Sequence, residues 1–120
     1  MGNPFIHVEL QTQGLGQAKE FYGSLFDWKL ENYPMQDSAE PYIGVSVGEG
    51  TGGGMTAQLA PQAPSAWMPY VEVNNVDEFT DKALKLGAKL IREKTEVPEM
   101  GWFSIICDPS GATLGLWQNK

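Results

Sequence analysis

The chain has 120 residues, 42% of them apolar and 19% charged, with eight basic residues against fifteen acidic ones and a formal net charge of −7. That length supports one domain with a real core, and the lone Cys107 excludes a disulfide framework, reading instead as a small buried hydrophobe in a reducing compartment. The basic residues between Lys82 and Lys94 are interleaved with acids and apolar positions, so no nucleic-acid footprint is expected. No apolar run approaches the length of a membrane span, and the start Met-Gly-Asn-Pro-Phe lacks a basic region followed by an apolar stretch. The expectation is a cytoplasmic protein with no membrane partner.

The first periodic segment runs from Phe5 to Gln11, where Ile6, Val8 and Leu10 alternate with His7, Glu9 and Gln11, the period of a half-buried strand. After a turn at Gln13-Gly14, Leu15, Ala18, Tyr22 and Leu25 form one stripe of a helix that is expected to end near Phe26 or Asp27. A short strand is expected over Trp28 to Tyr33, a loop over Pro34 to Pro41 and a strand over Tyr42 to Gly48. A glycine-dense stretch from Glu49 to Gly54 precedes a weak strand over Met55 to Leu59. These glycines lack the lysine and the strand-turn-helix setting of a phosphate loop, so they read as a tight turn and a bulged strand.

The proline-bearing stretch 60–66 reads as a linker, after which the order begins again with a strand over Trp67 to Asn74. Asn75 is placed to cap a helix with Glu78 as its capping-box partner; Val76, Phe79, Ala83 and Leu86 form the stripe, and Gly87 stands at the terminating position. Strands are then expected over Lys89 to Val97, Trp102 to Cys107 and Ala112 to Gln118, with the turn Asp108-Pro109-Ser110-Gly111 before the last.

The two halves superpose on each other. Val8-Glu9-Leu10 lies on Val71-Glu72-Val73 at an offset of 63, whereas the two helix stripes, and the pairs Gly50/Gly54 and Gly111/Gly115, agree at 61. The same element order on both sides of a proline linker marks a duplication. The expected organisation is an α+β fold of two tandem βαβββ modules, 1–59 and 67–120, whose sheets form a curved mixed trough.

The segments Phe5-Ile6-His7-Val8-Glu9-Leu10, Ala18 to Trp28 and Asp108 to Gln118 resemble the glyoxalase, bleomycin-resistance and extradiol-dioxygenase group, the vicinal oxygen chelate superfamily. The resemblance covers almost the whole chain and implies the fold more specifically than the chemistry, since one fold hosts many activities. It also implies four strand positions, two per module, at which enzymes of the group hold a divalent metal through His or Glu. In this chain His7 occupies the first. Tyr70 stands at its counterpart, Gly115 at the carboxylate position of the last strand, and Gly54 or Met55 at the equivalent in the first module. A single imidazole does not hold such an ion unaided. Glu9 and Glu72 share sheet faces with His7 and Tyr70 but stand elsewhere along their strands. No metal and no other cofactor is therefore expected.

The resulting reading is a small-molecule-binding protein whose trough is lined by His7, Glu9, Tyr42, Tyr70, Glu72, Trp102 and Trp117, a mixture of aromatic faces and carboxylates suited to a cationic or polar aromatic ligand. Each residue also has a plainer interpretation: His7 as a satisfied strand histidine, the two glutamates as outward charges, the tryptophans as core. Two other readings stay open. One is a metal-dependent lyase or isomerase resembling lactoylglutathione lyase, or a dioxygenase-like enzyme, with ligands drawn from elsewhere. The other is an assembly or regulatory domain, because the resemblance also implies a homodimer.

Overall fold

The structure, a computed structural model, describes residues 2–34, 40–57 and 64–120. Ten elements follow in chain order: β1 (Phe5–Thr12), α1 (Leu15–Leu25), β2 (Lys29–Tyr33), β3 (Tyr42–Ser46), β4 (Gly53–Ala57), β5 (Ala66–Glu72), α2 (Val76–Lys85), β6 (Lys89–Val97), β7 (Gly101–Cys107) and β8 (Thr113–Asn119). The chain divides into two compact units, His7–Met68 as one, and the residues up to Ile6 together with Pro69–Lys120 as the other.

Each unit repeats one topology. In His7–Met68 the strand order is β2-β3-β4-β1, antiparallel except for the parallel β1/β4 pair that aligns Glu9 with Gly54 and Leu10 with Met55. In the other unit the order is β6-β7-β8-β5, again antiparallel apart from the parallel β5/β8 pair, which aligns Tyr70 with Gly115 and Glu72 with Trp117. A parallel pair needs a crossover, and in both units the helix and the two following strands supply it. The matched offsets in the sequence are thus matched strand pairings in the fold.

Strand parity builds two helix-facing cores. In the first unit Leu10, Leu15, Ile43, Val45 and Met55 are buried together, with Ala18, Tyr22, Trp28 and Leu30 packed around them. In the second, Val73, Val76, Ile106 and Leu116 are buried, with Phe79, Ala83, Trp102 and Leu114 against them. Burying each large side chain contributes about 1.5–3 kcal/mol against exposure, so these two stripes are the main source of each unit's stability.

The helices differ in how their ends are closed. Asn75 accepts a hydrogen bond from the Glu78 amide (3.0 Å), acidic Asp77 and Glu78 sit in the first turn, basic Lys82 and Lys85 in the last, and Gly87 adopts φ +105° beyond it. By contrast α1 begins at Gly14 without a side-chain cap and carries no complementary charge at either end, so packing of its stripe holds it. It ends one residue before the expected stop, because Phe26 turns to extended backbone.

Other boundaries shift by small amounts for identifiable reasons. β4 starts at Gly53, two residues ahead of Met55, since Gly53 pairs with Val8. β5 spans Ala66–Glu72, and Val73 beyond it still donates its amide to the Trp117 carbonyl (2.8 Å). The turn before β8 holds through Asp108, whose carboxylate accepts from the Ser110 amide (2.8 Å), the Ser110 hydroxyl (2.7 Å) and the Ala112 amide (3.0 Å). These bonds, the Ser110 hydroxyl foremost, hold the Asp108 carboxyl below its ordinary range. Cys107 is half-buried at the end of β7, less enclosed than its apolar run suggested. Most of the expected loop 34–41 and linker 60–66, together with Gln58 and Leu59, lies outside the described residues.

Candidate ligand-binding faces

In the first unit, the residues that alternate with the core stripe form the sheet face opposite α1. His7, Glu9 and Gln11 of β1 share this face, and strand pairing puts Glu9 beside Gly54 of β4, Gln11 beside Thr56, and Gly54 beside Gly44 of β3. Tyr42 belongs to this face as well, two residues from Gly44 and opposite Tyr33. Met55 points the other way and is fully buried, so Gly54 holds the position the sequence left between the two.

Three polar side chains converge over that glycine. His7 Nε2 lies 2.9 Å from the Tyr42 hydroxyl and shares a hydrogen bond with it whose direction follows the imidazole tautomer. The Tyr42 hydroxyl also donates to Glu9 Oε1 at 3.4 Å, and Gln11 Nε2 donates to the other Glu9 oxygen at 3.3 Å. A Cβ on Gly54 would overlap the Tyr42 phenol, so the missing side chain is what lets the ring reach His7 and Glu9. Burial first, then the Glu9 charge and hydrogen bond, push the Tyr42 phenol far above its ordinary value of 10.0, so it stays a neutral donor. Glu9 is almost enclosed, its side chain 11% exposed, whereas His7 keeps 33% open. The result is a half-open imidazole backed by a neutral phenol and a sheltered carboxylate.

A related arrangement recurs in the second unit. Tyr70 is buried, its ring lies where a Cβ on Gly115 would have to go, and it meets Phe103 edge to face at 6.0 Å. Beside it, Glu72, Trp117 and Phe103 form one row across β5, β8 and β7. Trp117 Nε1 donates to Asn119 Oδ1 (2.8 Å), and Asn119 Nδ2 donates to Glu72 Oε2 (2.5 Å). Arg92 lies over Phe103, 5.5 Å from its centroid.

Of the seven residues singled out in the sequence, His7, Glu9 and Tyr42 thus meet in the first unit, and Tyr70, Glu72 and Trp117 share one face of the second. Trp102 stands apart from the latter three. It is one residue out of phase with Phe103, packs against the α2-side core, and is flanked by Lys94 and Lys120 at 5.4 and 5.2 Å from its ring centroid. Alternation along β7 explains the difference: a strand that flanks a face contributes only every second side chain to it. Sequence reasoning missed Gln11, Asn119 and the spatial meaning of Gly54, all of which emerge only from strand register.

The donor set can be tested against a divalent ion. His7 Nε2 and Glu9 Oε1 are 3.8 Å apart with the Tyr42 hydroxyl hydrogen-bonded to both. A neutral phenol is a poor ligand, and the space next to Gly54 and Gly115 is filled by tyrosine rings. Among the described residues no three His, Cys, Asp or Glu side chains gather as a ligand group. These residues do not fit the four-position metal centre that the resemblance implies.

Comparison with known proteins defines the class. The sequence signature of the Glyoxalase/Bleomycin resistance protein/Dioxygenase superfamily matches residues 5–116, and the chain belongs to that family. Among its relatives is CFP32 of Mycobacterium bovis, which carries a provisional glyoxylase name and is 33% identical over 118 residues. That match takes in 92% of this chain but 44% of CFP32, so the chain spans less than half the length of that relative. Solved structures share the fold: BH1468 of Bacillus halodurans (TM-score 0.72, 15% identity, covering 100% of this chain and 96% of that one). So does the methylmalonyl-CoA epimerase of Mycobacterium tuberculosis (TM-score 0.70, 16% identity, covering 97% of this chain and 87% of that one).

Proposed function

We propose that the chain is a small-molecule-binding member of this family that works without the family's divalent ion. One observation carries the reading: the Tyr42 phenol sits between His7 and Glu9, in the space a side chain at position 54 would take. The same substitution of ring for ligand at Gly115 and Tyr70 supports it. His7, its side chain 33% exposed, brings an imidazole to this face, and its Nε2 is held by the Tyr42 hydroxyl beside Glu9. Such a surface, with aromatic rings beside polar side chains, suits a polar aromatic ligand. The remaining expectations, action in the cytoplasm and as a homodimer, go with this reading; Phe21, Leu25 and Phe26 expose apolar surface along α1 that a second copy would cover.

The competing reading, a metal-dependent lyase or isomerase, is favoured by the provisional glyoxylase name of CFP32. It requires ligands beyond His7 and Glu9. A thermal-shift screen of polar aromatic compounds in the presence of EDTA separates the two. Metal-free binding predicts compounds that raise the melting temperature under chelation and lose that effect in Tyr42→Phe or His7→Ala. Compounds that act only when a divalent ion is supplied would support the enzyme reading instead.

A further inference from the structure

The two tryptophans of the second unit are treated in opposite ways. Trp102, on the α2 side, has Lys94 and Lys120 over its ring. Trp117, on the other face, has no cation or aromatic ring stacked on it among the described residues, yet its orientation is fixed. Its indole N–H is tied to Asn119, and Asn119 is tied to Glu72. On the β7 side a Cβ on Gly101 would overlap the Gln118 carbonyl oxygen and meet Trp117 Cζ2 at 2.8 Å, so the bare glycine lets both the adjoining strand and the indole come close. Glu72 is the direct strand partner of Trp117, which places a carboxylate beside an uncapped indole. Arg92 of β6 is taken up by Phe103 and by Thr95, whose hydroxyl accepts from Arg92 Nε at 3.2 Å.

A pre-oriented ring with a neighbouring carboxylate and no cation stacked on it among the described residues is a receptor for positive charge. The indole quadrupole attracts a cation over its face, the carboxylate supplies the counter-charge, and ordering the indole before binding removes an entropic cost. We infer that Trp117 and Glu72 form a binding site for a flat organic cation, the ring stacking on the indole and the charge directed toward Glu72. This names the chemical class of a ligand and rests on the small-molecule reading above. It uses residues of the second unit only.

The test is a titration at pH 8 followed by the indole N–H signals in a proton–nitrogen correlation spectrum, with N-methylquinolinium as the cation and quinoline as its neutral counterpart. The Trp117 signal is assigned by its loss in Trp117→Leu. N-methylquinolinium is expected to move the Trp117 signal and leave that of Trp102 in place, binding about fivefold or more tighter than quinoline. Glu72→Gln, which retains an acceptor for Asn119, is expected to abolish that preference while leaving the ring contact. Equal binding of the two compounds, or no movement of the Trp117 signal, overturns the inference. Should Trp117→Leu fail to fold, Glu72→Gln and the paired compounds decide alone. Neutral compounds found in the thermal-shift screen would keep the small-molecule reading intact even if the cation loses.

Discussion

The Tyr42 ring occupies the space that a side chain on Gly54 would need, and in doing so brings its hydroxyl to 2.9 Å from His7. A glycine that looks like a gap in a weak strand is therefore a condition for the polar cluster. Putting even a methyl group there forces the ring out of place or the strands apart.

Gly54→Ala is expected to destabilise the protein by about 1–3 kcal/mol, the usual cost of overpacking a filled site. Gly23→Ala is the control. It lies within α1, where an added Cβ meets Leu30 Cδ1 at an ordinary 3.4 Å, and replacing an interior helical glycine is expected to stabilise by about 0.5–1 kcal/mol. Chemical denaturation of the two variants reads the opposite signs. Destabilisation of similar size in both would show that the Tyr42 packing is not special.

Alkaline titration tests the protonation state of the cluster. Because the Tyr42 phenol is raised in the folded protein, its stabilising contribution is complete below the ordinary value of 10.0 and falls as pH rises above it, since the unfolded chain ionises first. Absorbance at the phenolate band is expected to show a tyrosine that does not titrate until the fold is lost, and Tyr42→Phe is expected to abolish that step. Ionisation of every tyrosine near the ordinary value in folded protein would refute the buried-phenol assignment.

The cap of α2 is expected to behave locally. Asn75→Ala removes the acceptor for the Glu78 amide and is expected to cost about 1 kcal/mol, lowering the melting temperature by roughly 3–5 °C, whereas Asn75→Gly costs only a few tenths of a kcal/mol. Ligand affinity is expected to be unchanged in both variants, because the cap lies on none of the residues of either candidate face. Calorimetric melting and a ligand titration together check the two halves of the statement.

Much of the fold was legible in the sequence because periodicity, caps and turn residues are local. The alternation around Val8 and Leu10, the two matched helix stripes and Asn75 with Glu78 each announce their element without knowledge of its partners. The candidate site was legible only as a set of names. Whether Gly54 or Met55 joins Glu9, and whether Trp102 or Trp117 joins Glu72, depends on strand register, which no local pattern specifies. Glycine residues carry the weakest signal of all, since what matters at Gly54 and Gly115 is the tyrosine ring that fills their missing side chain.

The central claim, a ligand-binding protein of this family that dispenses with the divalent ion, is tested most directly by elemental analysis of untagged protein purified without chelators. The donor set of His7 and Glu9, with Tyr42 hydrogen-bonded to both, predicts metal content far below one ion per chain. Near-stoichiometric zinc, nickel, iron or manganese that is lost in His7→Ala would contradict it.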